Sequence, residues 1–367
     1  MDHLDNNAIR QLRRRLLKWY DTHQRQMPWR DSRDPYAIWV SEIMLQQTRV
    51  AAATDYFNRW MAAFPAVETL AAAPLDDALK LWEGLGYYSR CRNLHNAAKL
   101  VVSEFDGALP TTASSLLALP GIGRYTAAAI ASIAFNRREA VLDGNVIRVL
   151  TRLCNDDRDP RASAVNNELW ARAERLLSPT RPGDFNQAMM ELGAMVCTPK
   201  SPRCVDDPKL CPLSKLCAGF AAGTAETLPK KAPKKKPPHY TIGAAVVMDS
   251  RGRVLIARRK EGGMLAGLWE FPGGKAESGE SPADAAARET AEEVGLDIEI
   301  IEPIATVEHA FSHFRITLHT FLARKTSRRR AKAIDVAEVR WVPPADLASF
   351  AFPKANHATL RWIADQQ

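Results

Sequence analysis

Two glycines in residues 119–127 constrain the fold of this 367-residue chain more than any other feature. The segment, Leu-Pro-Gly-Ile-Gly-Arg-Tyr-Thr-Ala, places Gly121 and Gly123 after a helix that ends at Pro120. Because glycine has no Cβ and tolerates positive φ, the turn is predicted to leave the first N–H groups of the next helix uncovered. Such groups bind anions, so the turn is a candidate phosphate site.

A second loop, Val-Leu-Asp-Gly-Asn-Val-Ile-Arg over residues 141–148, brings Asp143 to the start of another helix. An aspartate at this position fits two roles. It can cap the helix, or it can act as an acid or base on a molecule that the glycine turn holds. The hairpin alone does not decide between these roles.

Composition and charge favour a polyanionic partner without requiring one. The formal net charge is +8, and a basic protein attracts nucleic acid by long-range electrostatics. No apolar run reaches the length of a membrane span, and the polar residues 1–7 show no secretory signal. We therefore expect a monomeric, cytoplasmic protein that makes no membrane contact and, in a bacterium, associates with the nucleoid.

The apolar spacing predicts helices in the first part of the chain and no strand before about residue 240. One of these helices begins at Pro35, runs to Leu45 and contains Glu42 among apolar neighbours. A glutamate in such surroundings is usually paired or held neutral, so it is a candidate functional residue. The first part is therefore predicted to be all-α.

A composition change after residue 222 predicts a domain boundary. Residues 224–239 hold five lysines and four prolines, which predicts an extended, flexible linker. Beyond it, strands are predicted over 241–248, 254–257, 307–311, 316–322 and 339–341, with helices over 282–294 and 355–364. We therefore divide the chain into a helical domain (1–222), a linker (223–238) and an α+β domain (239–367).

Four of the six cysteines lie close together, spaced Cys-x6-Cys-x6-Cys-x5-Cys. They are Cys197, Cys204, Cys211 and Cys217. Four thiolates on one compact loop suit a [4Fe–4S] cluster, with zinc as the alternative. The loop lacks the paired Cys-x2-Cys spacing that is usual for zinc, which favours the cluster.

Together these motifs resemble the helix-hairpin-helix DNA glycosylase superfamily. Residues 41–48 (Ser-Glu-Ile-Met-Leu-Gln-Gln-Thr), residues 84–88 (Gly-Leu-Gly-Tyr-Tyr) and the second domain narrow the resemblance to the MutY family of adenine DNA glycosylases. The resemblance implies an iron–sulfur loop over 197–217 and a Nudix-like domain that recognises 8-oxoguanine. One departure is that the middle pair of cysteines lies four residues further apart than the family spacing.

The resemblance implies base-excision repair, in which adenine opposite 8-oxoguanine or guanine is hydrolysed from double-stranded DNA and an abasic site remains. Such cleavage needs one acid and one stabilising carboxylate. By resemblance, Glu42 protonates the adenine and activates water, Asp143 stabilises the sugar cation, and Asn145 orients the site. Desolvation should raise the pKa of Glu42, whereas a helix start favours the anionic Asp143.

Tyr125 stands where bifunctional members that resemble endonuclease III carry a lysine. A phenol cannot form an imine with the sugar, so the resemblance implies a monofunctional enzyme.

Further contacts with substrate and DNA are implied by the resemblance. They are Trp29, Arg30 and Gln187 around the adenine, Gln47, Thr48, Leu85 and Tyr87 at the duplex, and Gly121 and Gly123 at the phosphate. Core packing is the alternative for Trp29, Leu85 and Tyr87.

Residues 274–296 match the Nudix box, with Thr290 in place of the usual aliphatic residue. Glu289, Glu292 and Glu293 recur at i, i+3 and i+4, and three carboxylates on one helix face suit magnesium and a diphosphate. The family's C-terminal domain generally lacks this ligand set. Phe311, Ser312 and His313 match its lesion-reading loop, with Ser312 as the contact to the oxidised guanine.

We expect a recognition domain, with pyrophosphatase activity and a Mg²⁺ cofactor as the alternative. The chain as a whole has two rival functions: a pyrophosphatase whose helical half only tethers DNA, and a mismatch sensor without catalysis. Glu42 and Asp143 argue against the tether, which needs neither carboxylate.

Overall fold

The computed structural model describes residues 4–30, 32–230, 232, 236–311 and 313–366. The chain folds into two compact units. The first unit comprises the residues up to 72 together with 96–234, and the second comprises 73–95 together with the residues from 235 onward. The division into 1–222, 223–238 and 239–367 stays a prediction, and it does not anticipate that 73–95 belongs to the second unit.

The described residues form these α-helices: α1 (Asn6–His23), α2 (Pro35–Leu45), α3 (Val50–Ala63), α4 (Val67–Ala72), α5 (Leu75–Trp82), α6 (Ser89–Glu104), α7 (Ala113–Leu116), α8 (Arg124–Ile133), α9 (Gly144–Cys154), α10 (Ser163–Leu176), α11 (Pro182–Met195), α12 (Ala218–Ala221), α13 (Pro282–Val294) and α14 (His357–Asp365). Short 3₁₀ helices cover Pro28–Arg30, Pro208–Leu210, Ser214–Leu216, Pro344–Ser349 and Lys354–Asn356. The predicted start of α2 at Pro35 is confirmed, with Asp34 as its N-cap.

Helix α11 is central to the first unit, because it packs against α1, α8 and α9. The shared core includes leucines of α1, α9, α10 and α11, among them Leu16, Leu150, Leu169 and Leu192. Helix α2 packs against α3 and α8. These contacts bring Glu42, Tyr125 and Asp143 to one place, although they lie far apart in the sequence. The described residues of this unit contain no strand, as predicted.

The second unit is built on one mixed sheet of β1 (His239–Met248), β2 (Val254–Arg258), β3 (Trp269–Glu270), β4 (Gly273–Lys275), β5 (Ile298–Ala310), β6 (Arg315–Lys325) and β7 (Glu338–Val342). The strand order is β3-β2-β1-β6-β5, with β4 beside β1 and β7 beside β2. Strands β1 and β6 are parallel, with Ala245 opposite Phe321, and the other pairs are antiparallel.

Each face of the sheet buries its own core. Ala286 and Val294 of α13 pack on one face, and Phe352 and Ile363, from α14 and the segment before it, pack on the other. A Cβ added to Gly243 of β1 would lie 1.9 Å from the Pro282 carbonyl oxygen, so only glycine admits α13 so close to the strand. The α+β prediction for this part of the chain is confirmed.

Strand β5 begins at Ile298, nine residues before the predicted 307–311 strand. The prediction is wrong in length because Pro303 and two register shifts, at 300/302 and 303/305, break the alternation that marks a strand. The two-residue strand β3 and the three-residue strand β4 were not predicted. Strand β4 packs against α13.

The first residues of the predicted linker pack onto the first unit. Ala225 and Leu228 are buried, and the Leu228 carbonyl accepts a hydrogen bond of 2.9 Å from Arg152 Nε. The described residues of this segment before residue 231 are therefore held by packing and by an exposed ion pair in which Lys230 Nζ lies 3.0 Å from Asp157 Oδ2.

Candidate active site

A cavity of about 530 Å³ opens in the first unit. Its lining comes from α2, α8, α9, α11 and the turn at Pro28–Arg30. The structure brings nine of the predicted site residues together here: Trp29, Arg30, Glu42, Gln47, Thr48, Tyr125, Asp143, Asn145 and Gln187. These residues span 159 positions of the sequence, from 29 to 187 inclusive.

Glu42 is buried, with 8% of its surface exposed, yet its carboxyl lines the cavity. Its Oε2 accepts a hydrogen bond of 2.7 Å from the Tyr125 hydroxyl. Burial raises the pKa of Glu42 to about 7; the hydrogen bond from Tyr125 opposes the rise, and nearby Asp143 adds to it. At neutral pH this carboxyl can therefore give up or take a proton readily.

Tyr125 lies in the first turn of α8 and is protonated at neutral pH. Burial raises the pKa of its hydroxyl well above the ordinary value, and the nearby Glu42 and Asp143 raise it further. The same hydroxyl lies 3.2 Å from Met190 Sδ. Because the phenol keeps its proton, it acts as a hydrogen-bond donor to Glu42.

Asp143 is the N-cap of α9, as one of its two predicted roles requires. Its Oδ1 accepts a hydrogen bond of 2.7 Å from the Val146 N–H, and its Oδ2 accepts one of 2.8 Å from the Asn145 amide. Burial raises the pKa of Asp143 above its ordinary value, while these hydrogen bonds act in the opposite direction. The pKa values of both carboxyls are therefore raised, contrary to the expectation that the helix start favours the anionic Asp143, because burial outweighs the hydrogen bonds to Asp143. Their hydrogen-bond donors still distinguish the two carboxyls.

Asn145 connects Asp143 to the cysteine loop. Its Oδ1 accepts a hydrogen bond of 2.7 Å from Arg148 Nη2, and Arg148 Nε donates one of 2.6 Å to the carbonyl of Cys197. Helix α11 approaches closely here, since a Cβ on Gly193 would lie 2.6 Å from the Asn145 Cβ. Asn145 is therefore held on both sides, which fixes the carboxylate that it contacts.

Glu191 is a buried carboxylate at the cavity that the sequence analysis missed. It accepts hydrogen bonds from Arg25 Nε at 2.7 Å and from Arg30 Nη2 at 3.1 Å. Burial raises its pKa, but the hydrogen bonds from the two guanidinium groups outweigh burial and lower the pKa to about 2. Glu191 lies in an apolar helix, as Glu42 does, and the same signal could have identified it.

Arg30, Gln187 and Trp29 form the polar and aromatic edge of the cavity. Arg30 Nε donates to Gln187 Oε1 at 3.1 Å. Trp29 is buried, and its ring meets Phe57 edge-on with centroids 5.3 Å apart. Trp29 therefore both packs in the core and lines the cavity. Gln47 lies on the lining as an exposed residue with a φ of 59°, which is unusual for a side chain larger than glycine.

The glycine turn begins α8 without a side-chain cap, so the uncovered N–H groups are confirmed. Gly121 has a φ of 77°, whereas Gly123 has an ordinary φ of −92° as the N-cap residue. A positive φ is thus needed only at Gly121. A Cβ on Gly123 would meet no described atom within 4 Å, so space in front of this residue stays open.

The other predicted DNA contacts lie in the second unit. Tyr87, Phe311 and His313 line one apolar cavity of about 360 Å³ together with Met264 and Phe314. Tyr87 is 40% exposed, with a φ of 50°, and Leu85 is buried. Ser312, the predicted contact to the oxidised guanine, lies outside the described residues.

All four cysteines of the 197–217 loop line one small cavity beside Arg152. Arg152 Nη1 donates to Cys197 Sγ at 3.3 Å, and the thiols of Cys204 and Cys211 hydrogen-bond to each other. Soft thiolates in one pocket fit a cluster ligand set. In the part of the chain that the structure describes, no three His, Cys, Asp or Glu side chains form a ready-made metal site.

The Nudix-box glutamates do not share one environment. Glu289 and Glu293 line a cavity in the second unit, together with Glu270 of β3. Glu292 is 57% exposed at its side chain and pairs with Arg288 at 3.2 Å. Glu292 therefore does not line this cavity with the other two, although residues at i, i+3 and i+4 share one helix face. The expected magnesium set of three glutamates stays a prediction. The hydroxyl of buried Thr290 donates to the Ala286 carbonyl at 2.6 Å.

Two protein families match the chain. Residues 40–175 match the family described as HhH-GPD superfamily base excision DNA repair protein, and residues 243–362 match the NUDIX domain. The chain is 40% identical to the adenine DNA glycosylase of Rattus norvegicus over 363 residues, covering 84% of this chain and 69% of that protein. It is 38% identical to the adenine DNA glycosylase of Homo sapiens over 408 residues, covering 96% of this chain and 74% of that protein.

Solved structures resemble the helical unit. A thermostable thymine-DNA glycosylase is 28% identical, with a TM-score of 0.52 over 59% of this chain and 98% of that chain. A non-covalent endonuclease III–DNA complex is 22% identical, with a TM-score of 0.50 over 60% of this chain and 98% of that chain. At this identity, the likeness shows the fold alone.

No helix in the described parts of the chain combines the length and apolar character needed to cross a bilayer. The monomeric state and the cytoplasmic location stay predictions.

Proposed function

Since the chain belongs to the adenine DNA glycosylase family and is a base-excision DNA glycosylase, we propose that its substrate is adenine paired with 8-oxoguanine or guanine in double-stranded DNA. The enzyme hydrolyses the N-glycosidic bond and leaves an abasic site. One observation carries this proposal: Glu42 and Asp143, with different hydrogen-bond donors, face the same cavity of about 530 Å³. A base reaches such a cavity only after it leaves the helical stack.

Glu42 is the general acid of the proposed reaction. With a pKa of about 7, a substantial share of the carboxyl is protonated at neutral pH. It gives its proton to a ring nitrogen of the adenine while the bond from C1′ to the base breaks and its electron pair leaves with the base. The resulting carboxylate then accepts a proton from the water that adds to C1′. Glu42 is thereby returned to its starting state.

Asp143 stabilises the positive charge that develops on the sugar. The helix start and the Asn145 amide hold its carboxylate in one orientation. A fixed anion costs little reorganisation when the cation forms, and this is the largest usual contribution to such catalysis. Asn145, in turn, is a positioning residue that acts through Asp143.

Tyr125 makes the enzyme monofunctional. Its hydroxyl is occupied as a donor to Glu42 and offers no amine for imine formation with the sugar. The product is therefore an intact strand with an abasic site. A borohydride-trapped covalent complex, or strand cleavage without heat or alkali, would contradict this assignment.

Trp29, Arg30 and Gln187 hold the extruded adenine in this proposal, and Gly121 and Gly123 hold a phosphate. The uncovered N–H groups at Arg124 support the phosphate contact. Tyr87, Phe311 and His313 are assigned to the 8-oxoguanine side, supported by their common cavity in the second unit. Gln47, Thr48 and Leu85 complete the proposed duplex contacts.

Cys197, Cys204, Cys211 and Cys217 are proposed to hold a [4Fe–4S] cluster, supported by the cavity that all four line. When bound, the cluster cross-links the loop through four iron–sulfur bonds and so couples folding of the loop to iron binding. Arg152 donates to Cys197 and to the backbone of the loop, which orients the first ligand. Protein that lacks iron and visible absorbance after anaerobic reconstitution would contradict the cluster.

A single-turnover assay tests the base specificity. The full chain is mixed with duplexes that carry A opposite 8-oxoguanine, A opposite G, or T opposite 8-oxoguanine. We expect rapid excision from the first, slower excision from the second and none from the third. Glu42→Gln should lower the rate by about 10²–10⁴-fold, the usual contribution of general acid–base catalysis. Equal rates on all three duplexes would contradict the proposed specificity.

A further inference from the structure

The loop of residues 84–88, between α5 and α6, has an unusual backbone. Gly84, Gly86 and Tyr87 all have positive φ, with values of 96°, 74° and 50°. Glycine adopts this left-handed conformation freely, whereas it is unfavourable for a tyrosine. A strained residue of this kind persists only where its surroundings fix it, and such residues concentrate at functional sites. The contacts that fix Tyr87 are therefore informative.

Buried aromatic residues brace the loop from inside the second unit. Trp82 Nε1 donates a hydrogen bond of 3.1 Å to the Gly86 carbonyl. The Gly84 N–H donates one of 3.2 Å to the Tyr88 hydroxyl. Trp82 is fully buried and Tyr88 is 4% exposed, whereas Tyr87 is 40% exposed. The core therefore holds the residues on either side of Tyr87 more firmly than it holds the Tyr87 ring.

Arg90, in the first turn of α6, contacts both the backbone and the exposed ring of this loop. Its Nη2 donates hydrogen bonds to the carbonyl oxygens of Leu85 and Gly86, at 3.3 Å and 3.1 Å. Its backbone N–H donates one of 2.8 Å to the Tyr87 carbonyl. The guanidinium carbon lies 5.4 Å from the centre of the Tyr87 ring and 5.3 Å from that of the Trp82 ring. Both distances allow cation–π attraction.

The guanidinium of Arg90 is held at the loop although burial opposes its charge. Burial lowers the pKa of Arg90 to about 10, and the neighbouring Tyr87 and Cys91 act in the opposite direction. The group therefore stays charged at neutral pH. Hydrogen bonds from a charged donor are stronger than those between neutral groups. Arg90 can thus stabilise a loop conformation that Tyr87 disfavours by itself.

Packing in the core does not explain why the ring of Tyr87 is held in this way, because much of that residue is exposed. An exposed aromatic face suits stacking on a nucleobase. Tyr87 also lines the apolar cavity of about 360 Å³ in the second unit, together with Gly84 and Gly86. A ring fixed before binding loses little conformational freedom when it meets its ligand. The strained loop therefore favours binding if it holds the ring where the duplex will lie.

We propose that Arg90 is a positioning residue for DNA binding, which fixes the 84–88 loop so that Tyr87 presents its ring to the duplex. This inference rests on the proposed function, which assigns Tyr87 to the 8-oxoguanine side. Arg90 needs no contact with DNA, since the loop carbonyls and the ring engage its guanidinium within the protein. It acts through Tyr87, so its loss matters only while the tyrosine ring is present.

A double-mutant cycle on the full chain tests this assignment. The variants are Arg90→Gln, Tyr87→Ala and the two combined. The measurement is the Kd for a duplex with adenine opposite 8-oxoguanine, in which a fluorine on the adenosine sugar prevents cleavage. We expect each single substitution to raise the Kd about tenfold, a usual loss for one stacked base. The double variant should bind within about twofold of Tyr87→Ala, because the same stacking contact cannot be lost twice.

Two further variants serve as control and replacement. Arg59→Gln is the matched control, because the Arg59 guanidinium carbon lies 4.5 Å from the Tyr56 ring centre on α3, away from this loop. Its Kd should stay within about twofold of the parent. Thermal unfolding verifies each fold. If Arg90→Gln does not fold, Gly86→Ala replaces it, since alanine disfavours a φ of 74° even though its Cβ meets no described atom within 4 Å. The same non-additivity with Tyr87→Ala is then expected.

Excision of adenine opposite 8-oxoguanine by the parent tests the proposed function separately. Suppose that the parent excises this adenine but the two losses multiply in the double variant, or Arg90→Gln binds as tightly as the parent. The positioning role is then overturned while the proposed function stands. An equal loss in Arg59→Gln overturns it too, since the effect is then one of net charge. A parent that neither binds nor excises the mispair contradicts both.

Discussion

Both units of this protein place carboxylates around a cavity, but the two cavities control their protons in different ways. In the first unit, Glu42 and Asp143 lie on separate helices, and each has a hydrogen-bond donor of its own. In the second unit, Glu270, Glu289 and Glu293 line one cavity, and the charges of Glu270 and Glu289 add to the rise in the pKa of Glu293 that burial causes. In the first cavity, different hydrogen-bond donors distinguish the two carboxyls. In the second cavity, three carboxyls line the same space.

This difference teaches what each cavity can do. A carboxyl whose pKa lies near 7, beside a second carboxyl that accepts hydrogen bonds at a helix start, is the pairing that glycoside cleavage needs. Concentrated carboxyls compete for protons and are better satisfied by a cation. The same residue type therefore meets two electrostatic environments in one chain, and its neighbours decide which.

After Glu42→Gln, the largest effect is expected from Asp143→Asn, which removes the charge but keeps a good helix cap. Excision of adenine in single turnover should fall by about 10²–10³-fold, because electrostatic stabilisation of the sugar cation is lost. The temperature of unfolding should stay nearly unchanged. A rate loss below tenfold would show that Asp143 is only a cap, and the contrast between the two cavities would then disappear.

The next largest effect is expected for stability, from Glu191→Gln. The Glu191 side chain is 2% exposed and pairs with Arg25 and Arg30, so the substitution should cost about 2–3 kcal/mol of unfolding free energy. Glu174→Gln is the matched control, because Glu174 and Arg124 form an exposed pair worth at most about 1 kcal/mol. Chemical denaturation measures both.

The pH dependence sharpens this test. The pKa of Glu191 is lowered to about 2 from an ordinary 4.5. Its contribution is therefore present above pH 4.5 and is lost as the pH falls towards 2. The gap between the parent and Glu191→Gln should shrink over that range. A gap that grows in acid would contradict the ion pairing.

A smaller effect is expected from Tyr125→Phe, which removes the donor to Glu42. That hydrogen bond favours the charged carboxylate and holds the pKa of Glu42 down to about 7. Its loss should raise this pKa, and the alkaline decline of the excision rate should move up by roughly one pH unit. The pH profile of single-turnover excision measures the shift. If the decline stays in place or moves to lower pH, the hydrogen bond from Tyr125 does not lower the pKa of Glu42.

The smallest effect on excision is expected from Glu293→Gln in the second unit, where the substitution should alter stability instead. The pKa of Glu293 is raised to about 8 from 4.5, so the stability it contributes is lost as the pH rises through about 8. Glutamine stays neutral, so the variant should gain stability over the parent as the pH rises from 5 to 9, with little difference at pH 5. Lower stability of the variant at pH 9 would contradict mutual repulsion in this cavity.

Much of the fold follows from residues that are near neighbours in the sequence. Pro35 with Asp34 begins α2, and the residues of the Nudix box form α13 over the predicted range. The glycine turn leaves α8 uncapped, as predicted. These features were predictable because capping, turn conformation and helical spacing depend on a few consecutive residues.

Strand β5 and the glutamates of α13 show where such reasoning fails. Pro303 and the bulges hide the alternation of β5, and only pairing with β6 makes the segment a strand. Helical spacing groups Glu292 with Glu289 and Glu293. In the structure, Glu292 is exposed and pairs with Arg288, whereas Glu270, from a strand, lines the cavity with the other two. Spacing within one element cannot indicate which other element faces it.

The sequence by itself determined the residue types at the first cavity: an acid in an apolar helix, an aspartate at a helix start, and a tyrosine after a glycine turn. Only the tertiary structure decided their partners. Tyr125 contacts Glu42 across 83 positions, and Glu191 contacts Arg25 across 166. Local propensity acts over a few residues, whereas burial and hydrogen bonding between distant elements set proton affinity. For this reason the chain showed which carboxyls to examine, and the packing of its helices set how strongly each holds a proton.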